Sequence, residues 1–182
     1  MRLKSTIHFL VCCLILLSAP VVRAQSAVAC ENELPPQARK AVAAKMKRWK
    51  VLTAAELAAD DREIWENEYE EQCPGVAAGQ FGPRQSQAYA VMLIRSRNGA
   101  LYEALVLTAE RNGRYEVTTL LGSQKVARPS VVRKLPRGSY SSAKGDTEIE
   151  AAYEVIASEA IEAGVTIYYW SGNKYRSLVI SE

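Results

Sequence analysis

The chain has 182 residues, 48% of them apolar and 24% charged, which is enough for one domain with its own core. Its formal charge is +3, from 23 lysines and arginines against 20 acids, but Arg2, Lys4 and Arg23 all fall in the first two dozen residues. Without those three bases, 20 of each sign remain; neither nucleic acid nor an anionic membrane has a net charge to attract it, and neither is expected as a partner.

Residues 1–24 read as a signal peptide. Arg2 and Lys4 precede the apolar core "IHFLVCCLILL", Pro20 breaks it, and Val22-Arg23-Ala24 offers small residues where a signal peptidase reads. The apolar run is far short of the roughly twenty residues of a spanning helix, which argues against an uncleaved anchor. Lipidation at Cys30 after Ala27-Val28-Ala29 lacks the usual leucine three residues earlier. The expected location is therefore periplasmic or secreted, with 25–182 as a single domain.

Cys12 and Cys13 depart with the leader and leave Cys30 and Cys73. In an oxidising compartment that even count points to one internal disulfide, over two free thiols or a bridge between chains.

Residues 35–72 read as helical. After Pro35-Pro36, the residues Ala38, Val42, Met46 and Trp49 form one helical stripe, and Arg39, Lys40, Lys45, Lys47 and Arg48 occupy the rest of the surface. A core-facing stripe with a solvated basic back fits better than a membrane-surface helix, because the apolar face is narrow. Thr53 and Glu56 have capping-box spacing, with Leu52 and Leu57 placed as a hydrophobic staple. Asp60 and Glu63 repeat the capping spacing, so a break and restart is expected there. The acidic run "DDREIWENEYEEQ" carries Ile64, Trp65 and Tyr69 as its apolar side and should lie antiparallel to the basic helix, attracted modestly by opposite charge.

From residue 88 to 182 the period becomes that of strands. "YAVMLIRS" and "LYEALVLTAE" meet at Asn98-Gly99, and Asn112-Gly113 leads into "RYEVTTLL". The first two runs are apolar on both faces, which predicts a central place covered on each side. "VARPSVVRKLPRGSYSSAKGD" reads as one edge strand within long loops. "YEVIASEAIEA", "GVTIYYW", the turn Ser171-Gly172-Asn173 and "KYRSLVISE" complete the chain. The expectation is an α+β fold, with N-terminal helices packed on a mainly antiparallel sheet of about six strands.

The single histidine, His8, lies in the leader. Without imidazole, Ser-His-acid and Cys-His catalysis and histidine-ligated metal sites are excluded. A paired Cys30 and Cys73 offer no thiolate, and neither GxxxxGK[ST] nor GxGxxG occurs. No catalytic residue, metal or cofactor is expected, and the chain reads as a non-enzyme. Carboxylates are the remaining acid-base groups. Those of the acidic run read as a solvated helix face, and Glu103 and Glu116, alternating with apolar neighbours, are expected to point outward.

Aligned on Gly79-x-Phe81 and Tyr89-Ala90-Val91, the segment 73–94 resembles the calcium loop of FG-GAP/VCBS-type repeats. Its ligand positions here hold Gln80, Gly82, Arg84, Ser86 and Ala88, which lack the carboxylates calcium needs, so the loop is expected to be a turn of related shape without metal. Trp49-Lys50-Val51-Leu52, Cys73-Pro74-Gly75, "YAVMLI", "VVRKLPRGSY" and "IYYWSGNKYRSLVISE" resemble a group of small, uncharacterised secreted bacterial proteins. That resemblance implies bacterial origin, export and the helix-then-sheet order, with no activity and no catalytic residues to carry over.

For a protein that acts by binding, the expected surface combines Tyr168, Trp170 and Tyr175 of the last hairpin with Arg133, Arg137 and Tyr140 of the preceding loop, all residue types that anchor interfaces. The partner would be another exported protein. Two other functions remain open: an inhibitor or immunity protein against a periplasmic hydrolase, and a carboxylate-based hydrolase with two acids facing each other across a pocket.

Overall fold

The computed structural model describes residues 30, 33–69, 72–83 and 87–182. The leader assigned to 1–24 lies outside the described residues, as do Arg84 and Ser86. The rest is mostly antiparallel β-sheet, with strands making up 52% of it, and two short helices.

Helix α1 spans Pro36–Lys45 and α2 spans Ala59–Glu68. The first sheet holds β1 (Lys50–Val51), β2 (Val76–Gly79), β3 (Ala88–Arg97), β4 (Ala100–Arg111) and β5 (Arg114–Val126). Its order is β1-β3-β4-β5, with β2 lying beyond β1 along the same edge of β3. The second sheet, in the order β11-β10-β9-β6, holds β6 (Val131–Leu135), β9 (Val155–Ala160), β10 (Gly164–Ser171) and β11 (Lys174–Ser181). Strands β7 (Gly138–Ser141) and β8 (Glu148–Ala151) pair as a separate hairpin.

Eleven described strands in three sheets replace the expected single sheet of about six. The count rose for two reasons. Strands β1 and β2, of two and four residues, lie before residue 88 and are too short to show a period. The Pro/Gly-rich stretch read as one edge strand in fact yields β6 and β7 and runs up to β8.

Two-residue turns set the long hairpins. Asn98-Gly99 joins β3 to β4 with φ of 51° and 73°, and Asn112-Gly113 joins β4 to β5 with φ of 52° and 75°. Positive φ at both central residues is the type I′ requirement, which Asn-Gly meets at least cost.

The apolar runs of β3 and β4 are covered on both faces. On one face Val91, Leu93 and Val106 pack with Ala38 and Val42 of α1 and with Cys30 and Cys73. Met46 and Trp49 join that cluster, so the apolar stripe works as one face although the helix stops at Lys45. On the other face Ala90, Met92, Ile94, Leu105 and Leu107 meet Val132, Ile156 and Tyr168 of the second sheet, two sheets packed face to face. Beyond the second sheet, Ala157 and Ile167 pack with Tyr140, Ile149 and Ala151 of the β7–β8 hairpin.

The two helices do not form the expected charged pair. Trp65 of α2 is buried in the cluster between the sheets, on the opposite side of β3 from the face that α1 covers. The α2 acids find another partner: Arg128 donates to Asp60 at 2.8 Å and to the buried Asp61 at 3.0 Å. A sheet apolar on both faces needs cover on both, and that requirement outweighs a surface attraction of well under about 1 kcal/mol per pair.

Helix α2 starts at Ala59, close to the expected restart. The Thr53–Glu56 pair opens only a single 3₁₀ turn, Ala54–Glu56. There the Glu56 carboxylate accepts the Thr53 N–H at 2.9 Å, and Leu52 and Leu57 are both buried in the inter-sheet cluster.

Cys30 and Cys73 stand at disulfide distance, with their sulfurs 2.08 Å apart. The next residues lock that region to the sheet. The Gly75 carbonyl accepts the Met92 N–H at 2.8 Å, and Leu52 N–H donates to the Met92 carbonyl at 3.0 Å. A Cβ on Gly75 would sit 2.2 Å from the Leu52 carbonyl oxygen, and backbone cannot swing aside as a side chain can. Gly75→Ala should therefore lower stability by about 2 kcal/mol or more, measured by denaturant unfolding. A midpoint equal to that of the wild type would show that this approach is not required.

Candidate functional site

The two sheets are joined along one side and open along the other. On the joined side β2 lies beside β6, and Val132 N–H donates to the Pro74 carbonyl at 2.8 Å. On the open side stand the edge strands β5 and β11, and between them lies a cleft of about 610 Å³. Phe81, Leu107 and Tyr168 form its apolar floor, continuous with the inter-sheet core.

Trp170 and Tyr175 form one wall, edge to face at 5.1 Å and 78°. They face each other in register across the β10–β11 hairpin, whose turn residue Gly172 has φ of 65°. Thr118, Thr119 and Leu120 of β5 stand opposite. At the rim Arg111 and Glu116 lie 3.6 Å apart, and Lys174 and Arg176 are exposed with no ion pair among the described residues.

Phe81, Gly82 and Pro83, which follow β2, line one end. A Cβ on Gly79 would meet the side chains of Phe81, Lys134 and Glu154 within 3 Å, so these would have to shift to admit it. Gln80 N–H donates to the Glu154 carboxylate at 2.6 Å, and Phe81 is buried to 1% exposure. In this protein the glycine-aromatic step thus anchors the loop to the core. Among the described residues no group of three or more His, Cys, Asp or Glu is placed to hold a metal ion.

Glu154 also pairs with Lys134 at 3.1 Å. Burial alone would raise its carboxyl, but the Gln80 N–H and Lys134 together bring it below its ordinary value of 4.5. A carboxyl depressed in the folded state adds stability that is complete above its unfolded value and lost as the pH falls through the folded one. Glu154→Gln should be less stable than the wild type at neutral pH, with the difference shrinking as the pH drops below 4.5. Melting curves across that range test this, and a difference that stays constant with pH would refute it.

Of the residues expected to form a binding surface, the structure brings Tyr168, Trp170 and Tyr175 together in the cleft. Arg133, Arg137 and Tyr140 do not line it. Arg133 donates to Glu159 at 2.7 Å and stacks 4.8 Å over the Tyr69 ring, while Arg137 stands exposed between β6 and β7. Tyr140 packs on the far face of the second sheet, its hydroxyl donating to the Pro136 carbonyl.

Glu103 departs from expectation. It is 1% exposed and points between the sheets, where its carboxylate accepts Gln124 Nε2 at 2.8 Å, Ser130 N–H at 2.7 Å and Ser130 Oγ at 3.2 Å. Its parity in β4 matches that of Leu105 and Leu107, a sign in the sequence of the inward face. Glu116 does point outward, to the cleft rim. Burial raises the Tyr168 hydroxyl, and the nearby charge of Glu103 raises it further, so the cleft floor presents a neutral phenol.

The cations at the rim had a readable signal, since Lys174 and Arg176 alternate with Tyr175. Thr118, Thr119 and Leu120 had none, because only the packing of the two sheets decides which edges stay open. Among the described residues no helix is long and apolar enough to cross a membrane. Compared with protein-family models, with curated proteins and with solved structures, the chain matches none of them.

Proposed function

We propose that this is an exported, non-enzymatic binding protein, periplasmic or secreted, that engages another exported protein through the cleft between β5 and β11. The observation that carries the reading is the cleft wall itself. Trp170 and Tyr175 are held at the mouth of an open groove although neighbouring apolar side chains are drawn into the core. Rigid aromatics in a concave setting are the usual anchors of an interface. The export half of the reading rests on the charged start, apolar core and small-residue end of residues 1–24, and on the likeness to small secreted bacterial proteins.

Among the described residues the lining has one carboxylate, Glu116, held by Arg111, rather than two acids facing each other. That supports binding over carboxylate hydrolysis, which needs a pair.

The test is affinity capture of exported proteins by the mature chain, with the partner identified and its affinity measured against variants. Trp170→Ala should weaken that affinity roughly 30-fold, as truncating a buried interface anchor does. Arg137→Ala, outside the cleft, should leave it unchanged. Undiminished binding by a folded Trp170→Ala variant would move the site elsewhere.

A further inference from the structure

Two consecutive stretches line the cleft: Thr118–Leu120 of β5 and Lys174–Ser177 of β11. Successive side chains on a strand point to opposite faces, so neighbours in sequence line one groove where the strand turns its edge toward it or, as at Leu120 of β5, where a bulge leaves a residue unpaired and breaks the alternation. Both strands are the outermost of their sheets, so among the described strands those outer edges have no ladder partner. Nearby stretches are already occupied: Lys45 Nζ donates to the Val117 carbonyl, and Ala143 N–H donates to the Val179 carbonyl at 2.9 Å. Among the described residues the open segment is thus the part of β5 after Val117.

The charges and the aromatic wall narrow the occupant. Glu116 is held by Arg111, whereas Lys174 and Arg176 are exposed with no ion pair among the described residues, so the rim carries surplus positive charge. Trp170 is not a free flat platform of the kind a sugar ring stacks on. The edge-on Tyr175 takes one side of it, and its benzo ring lies 3.7 Å from where a Gly82 Cβ would stand. What stays accessible is an edge of peptide groups, flanked by apolar side chains and topped by cations.

We propose that the cleft receives an extended polypeptide segment bearing acidic side chains, which adds as a strand to the open edge of β5; this rests on the reading of the cleft as a binding site. Main-chain hydrogen bonds to β5 supply affinity, and alternate side chains of the segment supply specificity. One set meets Trp170, Tyr175 and Leu120, and the acidic set meets Lys174 and Arg176.

A displayed library of random linear peptides, selected on the mature protein, is the probe. The wild type should enrich sequences carrying Asp or Glu beside apolar residues. The double variant Lys174→Glu/Arg176→Glu should bind those peptides at least about tenfold more weakly and enrich Lys- or Arg-bearing sequences instead. Thr119 lies two residues from Val117, so its N–H shares the outer side of β5, and Thr119→Pro removes that donor. The substitution should also cost about tenfold in peptide affinity while leaving the β4 ladder intact.

Enriched peptides without an acidic bias, or peptides that bind the charge-reversed variant equally well, would overturn the proposal. So would sedimentation showing a dimer that Thr119→Pro converts to monomer, since the edge would then belong to a second copy. If no peptide is enriched while Trp170→Ala still abolishes binding of the captured partner, strand addition fails and the cleft reading stands. If Trp170→Ala leaves that partner bound, the cleft reading itself fails.

Discussion

Glu103→Ala should destabilise the fold by about 2–4 kcal/mol, among the largest effects of any single side chain here. The carboxylate is 1% exposed and has no cation beside it among the described residues; Gln124 and the backbone and hydroxyl of Ser130 satisfy it. Those partners belong to β5 and to the residue just before β6, so one side chain of β4 ties its neighbour strand to the start of the second sheet. Removing it leaves the Ser130 N–H without its acceptor in a site closed to water, and leaves a cavity as well. Glu103→Gln keeps the volume and one carbonyl oxygen but turns an amide N–H₂ toward donors, so its cost should be smaller, about 1–2 kcal/mol.

A second readout separates lost contacts from lost charge. Because Glu103 helps to raise the Tyr168 hydroxyl, both substitutions should lower its titration point in ultraviolet spectra, even where stability changes little. Denaturant unfolding of Glu103→Ala within about 0.5 kcal/mol of the wild type would show that this buried carboxylate is not a tie between the sheets.

Opening the Cys30–Cys73 bridge is expected to have an effect of similar size. The cysteines are 43 residues apart, and closing a loop of that length restricts the unfolded chain by up to about 4 kcal/mol. The loop contains α1, β1 and α2, the elements that cover β3 from both sides. Neither helix exceeds ten residues, too short to hold without tertiary support, so the bridge acts where local stability is lowest. Cys30→Ser with Cys73→Ser should lower the melting temperature by roughly ten degrees, and reductant should lower that of the wild type but not of the variant. A reductant-insensitive wild type, or free thiols detected by labelling of the folded protein, would refute the bridge.

The two effects bear on the cleft differently. Loss of Glu103 disturbs the β4–β5 pairing and the Tyr168 floor, so it should weaken the proposed binding at the cleft as well as stability. Loss of the disulfide loosens α1, β1 and α2, none of which lines the cleft, so a variant that is still folded at low temperature should keep the proposed binding.

Local rules written in the residues settled a good deal of this fold. Asn98-Gly99 and Asn112-Gly113 dictate tight hairpins because asparagine and glycine accept the positive φ that such turns need. The unbroken apolar run of β3 requires cover on both faces, and the stripe Ala38, Val42, Met46 and Trp49 provides it on one of them. Even the pairing of Tyr168 with Trp170 on one face follows from a period of two.

Tertiary packing alone decided the rest. Which side of β3 each helix takes, the inward burial of Glu103 beside Ser130, and the separation of Tyr140 from Trp170 all depend on how two sheets stack. Sequence periodicity tells which residues share a face but not what that face meets. The cleft is the clearest case, because an open edge is the absence of a neighbouring strand, and no residue of β5 or β11 encodes by itself which strand fails to arrive.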